Sequence, residues 1–282
     1  MTICIAGVGL WKGQKVVLLC SDYQGTRPDY KAEDTYKFWH FHTGRGAIAF
    51  AGDEAAGKEF MRRCTAVTRE FADIEKTRGD GDMDLRVGQY LAKVRNLAAQ
   101  FKRERADHYI RTKYGLSLDE FYSRNAPERF LPQHCDEIFG GIKSTDLGAE
   151  FLIAYIDDEE PLFIRVEQGG YAYVEDRPFT AIGSGEPLAA SVLSQIEGDD
   201  LRSFEECLTW VYQAKLTAER NQYVGSRTVL WALFPTGEDL LISDQAWEVI
   251  ENSVPRSTLA PVPEELGKLG DGMFSKYRGP QS

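Results

Sequence analysis

Positive charge is in short supply in this chain. Against 44 Asp and Glu stand 33 Lys and Arg, a formal net charge of −11. So acidic a protein is a poor candidate for a general nucleic-acid or membrane-surface binder. The one basic stretch, KRERADHYIRTK at 102–113, is interrupted by acids and reads as the solvated end of a helix. Cysteine is scarce as well. Cys4, Cys20, Cys64, Cys135 and Cys207 are five, an odd number, widely spaced and without a CxxC. That pattern suits reduced thiols and excludes a disulfide framework. No apolar run reaches the roughly 18–20 residues that span a bilayer. Neither a basic n-region nor an apolar h-region opens the chain, so no signal peptide is expected. The expectation is a cytoplasmic protein whose mature N-terminus is made by removal of Met1 or left unchanged. No GxGxxG or Walker loop occurs, so any ATP-driven step has to come from a partner.

What is present is enough apolar material for a real core: 282 residues, 43% hydrophobic and 12% aromatic. Short apolar runs rich in β-formers at 2–9 (TICIAGVG) and 15–21 (KVVLLCS) flank LWKGQ, which predicts a β-hairpin with Gly13 at positive φ. A second pair, 35–42 and 46–52, follows a polar loop. Four strands in the first fifty residues point to one sheet. The period then changes. Phe60, Cys64, Val67, Phe71 and Ile74 recur at three and four, which predicts a helix over 53–75. A second helix is expected over 84–107. Residues 109–148 are irregular, with one short helix at LSLDEFYSR, and read as an insertion on a rim. Strands return at 150–157, 161–167, 171–175 and 179–182. Helices are expected at 186–196 and about 203–222, and strands at 227–234 and 238–243. From about 253 the chain is expected to wander over the surface. Helices that come in pairs after runs of strands do not suit alternating βαβ units. They suit an α+β fold with two sheets face to face and a helix pair on each outer side, an αββα sandwich.

One position invites chemistry. Thr2 follows the initiator methionine directly. If Met1 is removed, Thr2 carries a hydroxyl and a free α-amine. A hydroxyl is a weak nucleophile until a base takes its proton. The amine, with an ordinary pKa of about 7.7–8.0, can be that base. A nearby lysine would help keep it neutral, and a carboxylate would hold the lysine. Asp22, at the end of the second strand, and Lys37, at the start of the next, can converge on the start of the first. Each residue also has a plain alternative: a common second residue, a strand-capping aspartate, a surface lysine. Two weaker signals stand apart. His40 and His42 alternate on one strand, but no Asp, Glu or Cys completes a metal set. His134–Cys135 has no partner that would make it a nucleophile. No metal and no cofactor is expected.

Several segments, in order, carry a resemblance: TICIAG, VVLLCSD with Asp22, YKF with Lys37, AIAFAGD before a long helix, then AIGSGEPLAASVL and AERNQYVGSRT. Together they resemble the proteasome β-subunit family, including bacterial proteasome-like peptidases with a threonine behind the initiator methionine. The resemblance covers roughly 2–108 and 150–234. It implies the four-layer αββα fold of N-terminal-nucleophile hydrolases over residues 1–243, with an insertion at about 109–148 and an extension at 244–282. It implies Thr2 as nucleophile and base, Lys37 as the partner that lowers the amine's pKa, and Asp22 as the group that orients Lys37. The Gly52 N–H is implied as the oxyanion donor, a contribution of about 3 kcal/mol. Thr26 is implied to hold substrate backbone as an added strand, and Ser184 to stand beside the threonine amine. Asn221 departs from the family, which has an acid there, and Val224 replaces a small hydroxyl or glycine.

The implied activity is a threonine-type endopeptidase acting on peptides or unfolded proteins. The implied assembly is a homo-oligomeric ring or helix, with a possible ATPase partner and no nucleic acid or membrane. Two alternatives stay open: a small-molecule amidase on the same fold, and a structural ring subunit weakened by Asn221 and Val224.

Overall fold

A computed structural model of the chain describes residues 2–22, 25–26, 31–32, 37–41, 45–78, 83–123, 130–157, 160–196, 202–255 and 261–276. It is an α+β protein with two antiparallel sheets. Strands β1 (Cys4–Trp11) and β2 (Gln14–Asp22) form the first hairpin. Lys12 and Gly13 turn it with φ of +50° and +83°, the two left-handed residues that match the twist of a tight hairpin. β3 (Gly25–Thr26) and β4 (Lys31–Ala32) make a separate two-stranded ribbon. β5 (Phe38–His40) and β6 (Gly46–Gly52) follow.

The four early strands do not share one sheet. β6 pairs with β7 (Ala149–Asp157), and β8 (Glu160–Val166) and β9 (Ala172–Glu175) complete a five-stranded sheet β5-β6-β7-β8-β9. β1 and β2 instead sit inside a second sheet between late strands. These are β10 (Phe179–Ile182), β11 (Arg202–Ser203), β12 (Thr228–Leu233), β13 (Asp239–Ile242) and β14 (Phe274–Lys276). Its main path is β10-β1-β2-β12-β13-β14, with β11 running parallel to β1. Both edges of the first hairpin are therefore filled by β10 and β12, segments from the far end of the chain, which local pattern cannot reveal.

Helices α1 (Glu54–Arg78) and α2 (Met83–Tyr114) carry Phe60, Cys64, Phe71, Tyr90, Val94 and Phe101 onto Phe50, Phe151 and Ile153 of the five-stranded sheet. Ala6, Val8, Leu19, Ala49, Leu152 and Phe163 fill the space between the sheets. On the far side, α5 (Glu186–Leu193) and α6 (Phe204–Ala218) cover Ile3, Ile5, Leu18 and Leu230. Small side chains allow close approach here. A Cβ on Gly9 would stand 2.8 Å from Phe204 Cα.

Two further expectations need correction. α2 does not end near residue 107 but continues to Tyr114. Ala106 and Ile110 are buried against Leu116, Leu118, Phe121 and Ile138 from α3 (Leu118–Tyr122) and α4 (Pro132–Ser144) and the turn before them. The basic stretch 102–113 thus has an apolar stripe that its charges conceal. Nor does the chain beyond 253 only wander. Between α7 (Asp244–Ser253) and β14 come α8 (Glu264–Leu269) and a 3-10 turn, Gly270–Met273. Leu266 and Met273 are fully buried, each worth about 1.5–3 kcal/mol, and β14 pairs with β13. Among the described residues, no helix is long and apolar enough to cross a membrane.

Candidate active site

Thr2 lies just before β1, and the β1–β2 hairpin brings Asp22 level with Ile3. The Asp22 N–H donates to the Ile3 carbonyl at 3.3 Å, and the Ile3 N–H donates to Asp22 Oδ1 at 3.2 Å. Lys37 comes from the other sheet. It precedes β5, where its carbonyl accepts from the Phe50 N–H at 3.2 Å. Its side chain crosses to the first sheet and puts Nζ 2.7 Å from Asp22 Oδ1. The Thr2 hydroxyl closes the triangle, donating to Asp22 Oδ1 and accepting from Lys37 Nζ. All three residues are buried: Thr2 is 2% exposed, Asp22 1% and Lys37 4%.

Burial pushes the Lys37 ammonium below its ordinary value, while the Asp22 carboxylate opposes this by favouring the charged form. Asp22 thus holds the lysine in reach of the hydroxyl. The neighbouring thiols go the other way. Burial raises Cys4 well above its ordinary value and Cys20 to about 12, so neither is a thiolate near neutral pH. Of these groups, the Thr2 hydroxyl is the one hydrogen-bonded to both Lys37 and Asp22.

The GSG turn after β10 closes over the backbone of Thr2. Ser184 Oγ and the Gly185 N–H both donate to the Thr2 carbonyl at 3.4 Å. Ser184 therefore meets the carbonyl of Thr2. Gly183 has φ +102°, and a Cβ there would strike that same carbonyl oxygen. Its N–H donates to Glu150 Oε2 on β7 at 2.9 Å. Asn221 does reach this turn. Its Nδ2 donates to the Ser184 carbonyl at 2.6 Å, and its Oδ1 accepts from the Tyr223 N–H at 3.1 Å. A carboxylate could not make the first of these bonds, so the amide has its own use here. Val224 is buried in the outer core, where a Cβ on Gly185 would stand 2.8 Å from its Cγ2.

Gly52 ends β6 with φ +143°. A Cβ there would lie 2.5 Å from the Gly148 carbonyl and 2.6 Å from Ala149 Cα. The close approach that demands glycine is made by the chain's own 148–149 backbone. Thr26 is on β3, paired with Lys31; its side chain lies outside the described residues, as does His42. His40 packs against Trp231 with ring centres 4.0 Å apart and the ring planes tilted by 45°. Among the described residues, no three His, Cys, Asp or Glu side chains converge as a metal site.

Three donors of this site are not singled out by sequence reasoning: the Gly225 N–H, 2.7 Å from Asp22 Oδ2, the Ile3 N–H, and the Gly185 N–H. They are main-chain groups, which side-chain identity does not disclose. The YVGSRT segment is the one signal in the sequence for Gly225. Comparison of the chain with family models and with curated proteins finds no match in either.

Proposed function

We propose that this protein is a threonine-type endopeptidase of the proteasome β-subunit-like class, built as a four-layer αββα sandwich of the N-terminal-nucleophile type. One observation carries the proposal: the buried Thr2 hydroxyl is hydrogen-bonded to both Lys37 and Asp22, which reach it from different sheets. A structural site gains little from burying a lysine beside a hydroxyl at the very start of a strand, because burying charge is costly.

With Met1 removed, the Thr2 amine takes the hydroxyl proton as Oγ1 attacks the scissile carbonyl. Collapse of the tetrahedral adduct breaks the C–N bond, and the leaving amine receives that proton. The acyl ester on Thr2 is then hydrolysed by water, which restores the hydroxyl. Asp22 orients Lys37, and the positive field of Lys37 favours the neutral Thr2 amine. Gly52 is assigned the oxyanion N–H, and Thr26 the pairing with substrate backbone. The same reading carries peptides or unfolded proteins as substrates, a cytoplasmic ring or helical homo-oligomer, and unfolding by a separate ATPase.

The test is the intact mass of the purified protein with and without a peptide epoxyketone, which reacts with both the hydroxyl and the amine of an N-terminal threonine. Loss of Met1 and one stoichiometric adduct are expected. Retained Met1, or the same adduct on Thr2→Ala, overturns the proposal. Loss of Met1 with no adduct points instead to a silent ring subunit. An adduct together with turnover of small amides but not peptides points to an amidase.

A further inference from the structure

A second lysine is more deeply buried than Lys37. Lys215, on the last turn of α6, is 0% exposed, and its partner Glu219 has a side chain only 10% exposed. Lys215 Nζ donates to the Glu219 carboxylate four residues on, and also to the Ser226 carbonyl at 2.7 Å. Ser226 follows Gly225, whose N–H donates to Asp22 Oδ2 at 2.7 Å. Asp22 in turn holds both Lys37 Nζ and the Thr2 hydroxyl through its other oxygen. The Lys215 amine is thus linked to the Thr2 hydroxyl through a short stretch of main chain and one carboxylate.

We infer that Lys215 is a positioning residue for the Thr2 site: it pins the 221–226 turn to the end of α6, so that the Gly225 N–H is held on the Asp22 carboxylate. This rests on the reading of Thr2 as the nucleophile and adds to it a residue outside the Thr2, Asp22, Lys37 set. The turn is tied to the GSG turn by Asn221 Nδ2 and to β2 by the register of Thr228 opposite Asp22, and Lys215 adds the tie of Ser226 to α6. The turn's own main-chain bonds are local, among them Asn221 N–H to the Ala218 carbonyl and Val224 N–H to the Asn221 carbonyl, both 2.9 Å. These shape the turn without tying Ser226 to the helix. The Lys215–Glu219 pair is also almost completely buried, which costs desolvation of two charges where only packing is needed. Fixed donors that do not reorganise are what a carboxylate needs to keep one orientation through a reaction.

The test uses the double variant Lys215→Met/Glu219→Leu, which removes both charges at once. Replacing a buried ion pair by apolar side chains leaves stability unchanged or raises it, so this protein is expected to fold. The rate of adduct formation with the peptide epoxyketone is measured over a range of reagent concentrations. The maximal rate constant is expected to fall about tenfold, the effect of one lost charge-assisted hydrogen bond. The half-saturating concentration and the unfolding midpoint are expected to stay at or above the wild-type values. A purely structural role would lower the reacting fraction or the midpoint and leave the rate constant of the folded protein unchanged. An unchanged maximal rate constant in the folded double variant overturns the inference while the Thr2 reading stands. A wild-type protein that forms no adduct overturns the Thr2 reading first, and this inference with it. Should the double variant not fold, the pair is required for stability, and Lys215→Arg decides: unless it restores folding and at least about half of the wild-type rate constant, the assignment to positioning fails.

Discussion

Lys37 and Lys215 are both buried and each is paired with a carboxylate, yet they are built differently. The Lys215 pair is local, four residues apart at the end of one helix, and its third partner is a main-chain carbonyl. The Lys37 pair joins two sheets, and its third partner is a hydroxyl. A local pair can form with its helix, before the sheets dock. A pair that joins two sheets exists only once the sheets have docked, and here it brings the Thr2 hydroxyl with it. Burial alone therefore does not distinguish the two, and the proposed chemistry rests on the identity of the third partner.

The comparison is most easily broken at that partner. Thr2→Ala is expected to abolish adduct formation, by more than about a thousandfold, with an unfolding midpoint close to that of the wild type. An undiminished adduct, read by intact mass, would remove Thr2 from its place as nucleophile.

Substituting each lysine by methionine comes next. Either change leaves a carboxylate buried without its cation, so both are expected to cost about 3–5 kcal/mol in denaturant unfolding. Their effects on the folded protein should separate: about a hundredfold or more in adduct formation for Lys37→Met, and about tenfold for Lys215→Met. Equal losses would erase the distinction between a reacting and a positioning lysine.

A pH dependence sharpens it further. The folded-state value of Lys37 is lowered from the ordinary 10.5 mainly by burial. Between the lowered value and 10.5 the unfolded chain holds more protons on this group than the folded one. Its contribution to stability is therefore fully present above 10.5 and is lost as pH falls through the lowered folded-state value. Measured against Lys37→Met, the wild type is expected to gain stability as pH rises through this window. Urea unfolding at about pH 8 and about pH 10 reads the difference.

The smallest effect belongs to an exposed pair of the same chemical type. Lys12 Nζ lies 2.6 Å from Asp271, with both side chains well exposed. Lys12→Ala is expected to change stability by less than about 1 kcal/mol and adduct formation not at all. A larger loss would mean that the contact of the β1–β2 turn with the segment before β14 contributes more than its charges.

Much of this architecture is legible in the residues themselves. Short runs of β-formers mark β1, β2, β6 and β7, and spacing at three and four marks α1. Residue type and place single out Thr2, Asp22 and Lys37. Other features are hidden for physical reasons. Ala106 and Ile110 are masked by the charges around them. β14 is three residues long, too short for a period. The sorting of the first four strands into two sheets depends on partners far along the chain.

The α+β class, most of the longer strands and helices before residue 243 and the identity of the candidate reacting side chains come from the sequence itself, because periodicity and residue chemistry are local properties. The tertiary structure alone decided that Lys37 reaches Thr2 from the opposite sheet, that Ser184 meets the carbonyl of Thr2, that the 148–149 backbone demands a glycine at position 52, and that Gly225 and Lys215 stand behind Asp22. Those are relations between main-chain groups and between distant segments, and they exist only when the sheets have packed.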